Sequence, residues 1–235
     1  MEIPRVRTGV VGVAVGTALA ASVLSGCAGP QYTYVRDQDG ATYFKVPSSW
    51  QQVDPKAIEA ALFGDPDSAT AQVQKESVWT AAFDAHAKPS VLHLLEGSPG
   101  TDDQPFVFAK VQKLTEDEQN SASLNMLRNS SGLPVAVTED VRKQLESDQE
   151  SQLKGFELLA DDVLPVADGV RGVRSVFNYR LDGGVQTFDE TAYLSADGSH
   201  VSTLLIRCSA ACYRQRAAEI DLIAKSFKVK RLINQ

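Results

Sequence analysis

Four β-rich runs separated by tight-turn signals, between Phe156 and Arg207, constrain the fold more than any other stretch of this chain. The runs are Phe156–Leu164, Val170–Leu181, Val185–Leu194 and Val201–Arg207. Asp182-Gly183-Gly184 and Ala196-Asp197-Gly198 fall between the later runs. Residues of this kind accept the positive φ angles that short hairpin turns demand, so the runs are expected to pair antiparallel. A helix is expected next, from about Ser209 to Lys225, with Tyr213, Ala217, Ile220 and Ala224 as its apolar stripe and a last strand, Phe227–Val229, behind it. A sheet followed by one amphipathic helix must bury a face under that helix. Helices from earlier in the chain take the other face, so the expected fold class is α/β (α+β), a single α/β/α sandwich with a mostly antiparallel sheet.

Earlier elements follow from local chemistry. Tyr32–Arg36 and Ala41–Val46 flank Asp37-Gln38-Asp39-Gly40 and read as a hairpin. Asp54 at the N-cap, Pro55 at N1 and Gly64 beyond the end define a helix. Strands are expected at Ser77–Ala85, Val91–Leu95 and Phe106–Leu114. Thr115 and Glu118 form a capping box that opens a polar helix ending near Ser131-Gly132. Thr138 caps another helix, with Val141 and Leu145 inward and Glu139–Lys143 and Arg142–Glu146 as i,i+4 pairs. No repeat or low-complexity linker interrupts residues 31–235, which are read as one domain of ample size for its own core.

The first 26 residues read differently. Arg5 and Arg7 precede sixteen uncharged residues, Gly9 to Leu24, and small residues follow. A basic start, a short apolar core and a small-residue cut define an export signal. The core is shorter than the ~20 apolar residues that cross a bilayer. Leu24-Ser25-Gly26-Cys27 resembles the lipobox of bacterial lipoproteins. That resemblance implies a diacylglyceryl group on the Cys27 thiol, cleavage before it, and residues 27–30 as a lipidated tether. An ordinary secretory signal and a retained anchor are the alternatives. Two acyl chains anchor stably where a single chain holds only marginally.

Cys208 and Cys212 are the remaining cysteines. Outside the cytoplasm disulfides persist, and a strand end facing a first helical turn brings two such residues close. A local structural disulfide between them is therefore expected, with a redox pair and metal ligation as alternatives. The redox motif would need one residue fewer between them.

Charge excludes some partners. The chain carries 23 basic and 30 acidic residues for a net charge of −7, which gives no electrostatic footprint for nucleic acid. Loss of the first 26 residues leaves 21 basic and 29 acidic. On net charge, such a body is expected to be repelled by an anionic membrane at close range.

Three pieces of the chain together resemble the PsbP-like fold family, which includes photosystem extrinsic proteins, small Ran-binding proteins and many actinobacterial lipoproteins. They are Tyr43-Phe44-Lys45-Val46-Pro47-Ser48-Ser49-Trp50, the meander from Gly172 to Arg207, and Cys208 to Cys212-Tyr213 leading into Ile220 and Ser226-Phe227. Ser49 stands where the family often has Gly before the Trp. The resemblance implies a binding or accessory module with no shared catalytic site.

Residues that could carry chemistry are few. Asp84 and His86 share a strand face, but His93 would have to fold back past Lys88-Pro89 to join them. Solvated side chains near a turn are the simpler reading, and no metal ligands are assigned. Ser199 and His200 are adjacent, so on a strand they would point to opposite faces and could not act as nucleophile and base. Neither a Gly-x-Ser-x-Gly elbow nor a phosphate-binding or dinucleotide motif is present. Arg171, Arg174 and Arg180 lie in one strand region, and the last two are expected on a solvated outer face, with an anion or partner site as the alternative. Trp50 and Trp79 read as core or rim aromatics. The loops near residues 96–105 and 129–138 are the places for a partner or ligand. No catalytic residue and no cofactor is assigned.

Three functional readings remain. The first is a lipid-tethered accessory or interaction protein on the extracytoplasmic face of the cell membrane, holding the membrane through Cys27 and binding a protein partner in the envelope. The second is a carrier of a lipid or small solute. The third is a hydrolase whose site assembles only in space.

Overall fold

The computed structural model describes residues 29–65, 68–95, 104–181 and 183–231. Cys27 with Leu24-Ser25-Gly26 before it, and most of the loop near residue 100, lie outside the described residues. The elements, in chain order, are β1 (Tyr32–Arg36), β2 (Thr42–Pro47), β3 (Gln51–Gln52), α1 (Pro55–Phe63), α2 (Ala69–Ser77), β4 (Val78–Asp84), α3 (Val91–Leu95) and β5 (Phe106–Lys113). After these come α4 (Glu116–Asn120), α5 (Leu124–Arg128), α6 (Glu139–Ser147), β6 (Lys154–Ala167), β7 (Val170–Leu181), β8 (Gly184–Leu194), β9 (His200–Ser209), α7 (Ala210–Gln215), α8 (Ala217–Ser226) and β10 (Lys228–Val229).

Seven strands form one sheet in the order β3-β4-β5-β9-β8-β7-β6, every neighbouring pair antiparallel. A smaller sheet, β1-β2-β10, is also antiparallel. The class is mixed α/β with antiparallel sheets. One face of the large sheet presents Phe83, Val107, Leu204 and Ile206 to Phe44 and Val46 of β2 and to Ile220, Ile223 and Ala224 of α8. The opposite face carries three further clusters, beneath α1 and α3, beneath α5, and beneath the chain around Val135.

Local signals place the caps. Asp54 accepts the Lys56 N–H and Pro55 follows it, while Gly64 ends α1 at a φ of 74°. The Thr115–Glu118 box is formed in both directions. Lys143 reaches Glu139 at 2.8 Å.

Other expectations are corrected. Val91–Leu95 is a helix, because Asp84 draws the chain after β4 back on itself. The helix from Thr115 is two short ones, since Ser121 ends α4 and Ser123 recaps α5. The C-terminal helix breaks at Arg216 (φ −108°, ψ 17°), which turns Ala217 outward and Ile223 inward. In α6, Val141 is exposed and Arg142 faces the core, held by Tyr179 and not by Glu146.

Cys208 and Cys212 are both buried in the cluster beneath α8, but the pair does not stand at disulfide distance. Cys208 still follows the β9 ladder opposite Thr187. Ser209 Oγ accepts the Cys212 N–H at 3.1 Å, which commits Cys212 to the first turn of α7.

Candidate functional site

Two hollows flank α5, both against β6, the outer strand of the large sheet. An open groove of about 530 Å³ is lined by Asn125, Arg128, Val135–Thr138, Leu158 and Asp161. A narrower cleft of about 210 Å³ is lined mainly by Leu124, Leu127, Val163, Leu164, Val166 and Leu194, with Arg171 at its rim. Leu158, Leu159, Val163 and Val166 are 49–66% exposed along the same strand. An apolar row on an edge strand is a standing invitation to association. The register of β6 on β7 slips between Lys154 and Glu157, Leu158 and Ala160, and Leu164 and Ala167. Pro165, inside β6, has no N–H to offer. Both features blunt indiscriminate strand pairing.

The groove wall is set by a buried carboxylate. Glu190 is 1% exposed in the middle of β8. Its Oε1 accepts the Ser130 hydroxyl at 2.8 Å and the Ser131 N–H at 3.1 Å, and its Oε2 accepts the Ser131 hydroxyl at 2.7 Å. Thr203 donates to Ser130 Oγ at 2.8 Å, and Lys110 Nζ reaches the Ser130 carbonyl at 3.0 Å. Burial pushes the Glu190 carboxyl up to about 7, against the pull of these donors and of Lys110. Burial also lowers Lys110, opposed by Glu190. Next along the sheet, Ser175 lies opposite Glu190 and donates to Asp161 at 2.7 Å. Arg128 of α5 grips Asp161 through two nitrogens, at 2.8 and 2.8 Å, and that pairing holds the Asp161 carboxyl below its ordinary range. A polar belt thus crosses from β5 to β6 and fixes both α5 and the segment 129–138.

The residues singled out in the sequence fall elsewhere. His93 Nδ1 meets Asp84 Oδ1 at 3.1 Å, both side chains being buried rather than solvated. Asp84 also accepts the N–H groups of His86 and Ser90, and Arg207 holds the His93 and Leu94 carbonyls. The group fastens α3 to the sheet. His86 Nδ1 instead closes a turn with Lys88. Among the described residues no three His, Cys, Asp or Glu side chains are grouped for a metal ion.

Ser199 and His200 do hydrogen-bond, at 2.7 Å, because Ser199 precedes β9 and is free of the pleat. Asp197 takes the Ser199 hydroxyl at 2.7 Å and also accepts from Ser195, contacts that hold its carboxyl at about 2. The acid contacts the serine and not the imidazole, the reverse of a triad, in which the acid orients the histidine.

The arginine strip is not formed. Arg174 bridges Asp189 at 2.7 Å and Asp221 at 2.9 Å, and Tyr213 donates to Asp189 at 2.9 Å, which ties β7 and β8 to α7 and α8. These bonds, Asp189 first, raise Arg174 above its ordinary range. Arg180 packs beside Gly155. Trp50 is core, and Trp79 packs against the same cluster.

No protein-family model matches this chain, and no curated protein matches its sequence. Several solved structures are similar in fold. The PsbP protein of the cyanobacterium Synechocystis sp. PCC 6803 is 14% identical over 93% of this chain and 98% of its own, with a TM-score of 0.47. LpqN of Mycobacterium tuberculosis, described as involved in cell envelope biogenesis, is 14% identical over 85% and 91%, with a TM-score of 0.45. The Ran-binding protein Mog1p of Saccharomyces cerevisiae is 8% identical over 85% and 96%, with a TM-score of 0.43. Among the described residues no helix is long and apolar enough to cross a membrane.

Proposed function

We propose that this chain is a lipid-anchored accessory protein of the extracytoplasmic membrane face that acts by binding a protein partner. The observation that carries the reading is Leu24-Ser25-Gly26-Cys27 behind sixteen uncharged residues and a basic start. Acylation at Cys27 would make that residue the mature N-terminus, with four residues between it and Tyr32. The β6 margin supports the interaction half: an apolar row, two adjoining hollows and a wall held in one geometry by the Glu190 belt. Asp84, His93, Asp189 and Glu190, the buried groups with chemical potential, each fasten one element to another.

Metabolic labelling with an alkynyl fatty acid, with mass analysis of the mature N-terminus, tests the anchor. The expected result is label on the wild-type chain in the membrane fraction and none on Cys27→Ala. An unlabelled wild-type chain whose N-terminus lies elsewhere overturns it. A photocrosslinking residue at Leu158 or Val163 tests the interaction. It should yield one discrete adduct that the same group at Val73, on α2, does not. Identical adduct patterns at all three positions would remove the β6 reading.

A further inference from the structure

The small sheet β1-β2-β10 has two unlike faces. Phe44 and Val46 point inward to the cluster shared with Phe83, Ile220 and Phe227, with Val35 packed beside them. Residues opposite one another in a ladder share a face. Tyr34 lies opposite Lys45, and Tyr43 lies between Arg36 and Lys228. The outward face therefore presents Tyr32, Tyr34, Arg36, Tyr43, Lys45 and Lys228. Lys230 continues it, its Nζ 4.9 Å above the Tyr43 ring, as the Lys45 Nζ stands 4.2 Å above the Tyr32 ring. Three tyrosines and four cations share this face without a carboxylate among them. Asp37 is buried and accepts the Thr42 N–H, and Asp39 stands in the hairpin turn, at the end away from Tyr32. On a chain of net charge −7, these four cations stand together apart from the acidic residues.

The second observation is where this face joins the chain. Only Ala28–Gln31 separate Cys27 from Tyr32. The five Cα–Cα steps from Cys27 to Tyr32 span at most about 18 Å. An acylated Cys27 would hold the Tyr32 end of this face within about two Debye lengths of the headgroups, the Debye length being ~8 Å at physiological salt.

The geometry points to the outward face of β1-β2-β10 as a docking surface for anionic lipid, an assignment that rests on the anchor proposed above. Arg36, Lys45, Lys228 and Lys230 would meet lipid phosphates, and Tyr32, Tyr34 and Tyr43 would sit at headgroup level with rings inward and hydroxyls wet. Repulsion expected from net charge alone is reversed locally, because the acidic majority lies elsewhere. Docking also sets orientation. The inward face of the small sheet packs on the Phe83 and Ile206 side of the large sheet, whereas α5 and the groove lie on its other side. The groove would then be turned away from the membrane.

Purified acylated protein, reconstituted into vesicles of phosphatidylcholine alone or mixed with phosphatidylglycerol, tests this. A fluorophore on Tyr34→Cys is read by acrylamide quenching, with Val73→Cys as the control position. Quenching at residue 34 should fall about fivefold in the mixed vesicles and stay constant at residue 73, the contrast a cluster of cations at an anionic surface produces. The variant Arg36→Glu/Lys45→Glu/Lys228→Glu/Lys230→Glu should remain in the vesicle fraction and lose the fall, with its melting curve checked against wild type. Equal quenching at residue 34 in both vesicles overturns the docking surface. Shielding that requires added envelope protein overturns it in favour of a protein partner on this face. A purified chain without lipid on Cys27 ends the anchor reading alone, and the same quenching with vesicles added in trans then decides the docking surface separately.

Discussion

Glu190 accepts the Ser131 hydroxyl at 2.7 Å from a position 1% exposed, so one carboxylate at the centre of the sheet determines where the groove wall stands. The charged groups around it are Lys110 from β5, two strands to one side, and Asp161 of β6 with its partner Arg128, two strands to the other. Serine hydroxyls supply most of the donors, and they solvate a carboxylate less completely than water does.

Stability is accordingly expected to fall as pH rises. Glu190 has a folded pKa near 7, against an ordinary 4.5, so between those values the folded chain holds a proton that the unfolded chain has released. The Glu190 contribution is thus fully present below about pH 4.5 and is lost as pH rises through about 7, on the order of 3 kcal/mol in all. Urea titrations at pH 5 to 8 should show that slope, and Glu190→Gln should flatten it. A slope unchanged in Glu190→Gln would assign the pH dependence to another group.

Arg174 predicts a different failure. Its guanidinium is the main partner of Asp189, which is 1% exposed. Arg174→Met leaves that carboxylate buried with only Tyr213 beside it, at a cost of about 3 kcal/mol. The double variant Arg174→Met/Asp189→Leu should recover at least half of the loss, because the stranded charge is then gone. Denaturant midpoints measure both, and a double variant no more stable than the single would mean that Arg174 acts through packing and not charge.

The polar belt shows where sequence reading reaches and where it stops. Asp54, Thr115 and Thr138 cap helices through bonds to residues two or three positions away, so their roles are written locally. The meander is legible for the same reason: its turns need Gly at positive φ, as at Gly198 (φ 76°). Gln186-Thr187-Phe188-Asp189-Glu190-Thr191 reads as a strand but gives no sign that all six residues are buried. Asp189 is covered by the Arg174–Tyr213 bridge and Glu190 by Ser130-Ser131, on opposite faces of one strand. Those covers come from 60 residues upstream and 24 downstream, separations that periodicity does not register. The place of His93 is hidden in the same way, because a short apolar run does not distinguish strand from helix. The cation cluster on the small sheet needs the pairing of β10 with β2, which brings together residues near 43 and near 228.

Gly172 supplies the last prediction, and it turns on one contact. Gly172 faces Tyr193 across the β7–β8 ladder, and a Cβ built on it would stand 2.4 Å from the ring atom Cδ1 and 2.6 Å from Cε1. The glycine is therefore the space in which the tyrosine ring lies, not a flexible joint. Tyr193 in turn packs against Phe227 at a centroid distance of 5.6 Å, so the ring couples β7 to the end of α8. Gly172→Ala must push the ring off this seat, at a cost of about 1–3 kcal/mol, the usual range for overpacking. Tyr193→Leu on its own loses the ring contact with Phe227. In the double variant the alanine meets a smaller, more adaptable side chain, so the combined loss should be at least 0.5 kcal/mol or so smaller than the sum of the single losses, the level at which coupling exceeds ordinary additivity. Strict additivity in a thermal or urea series would show that the alanine is accommodated without moving Tyr193.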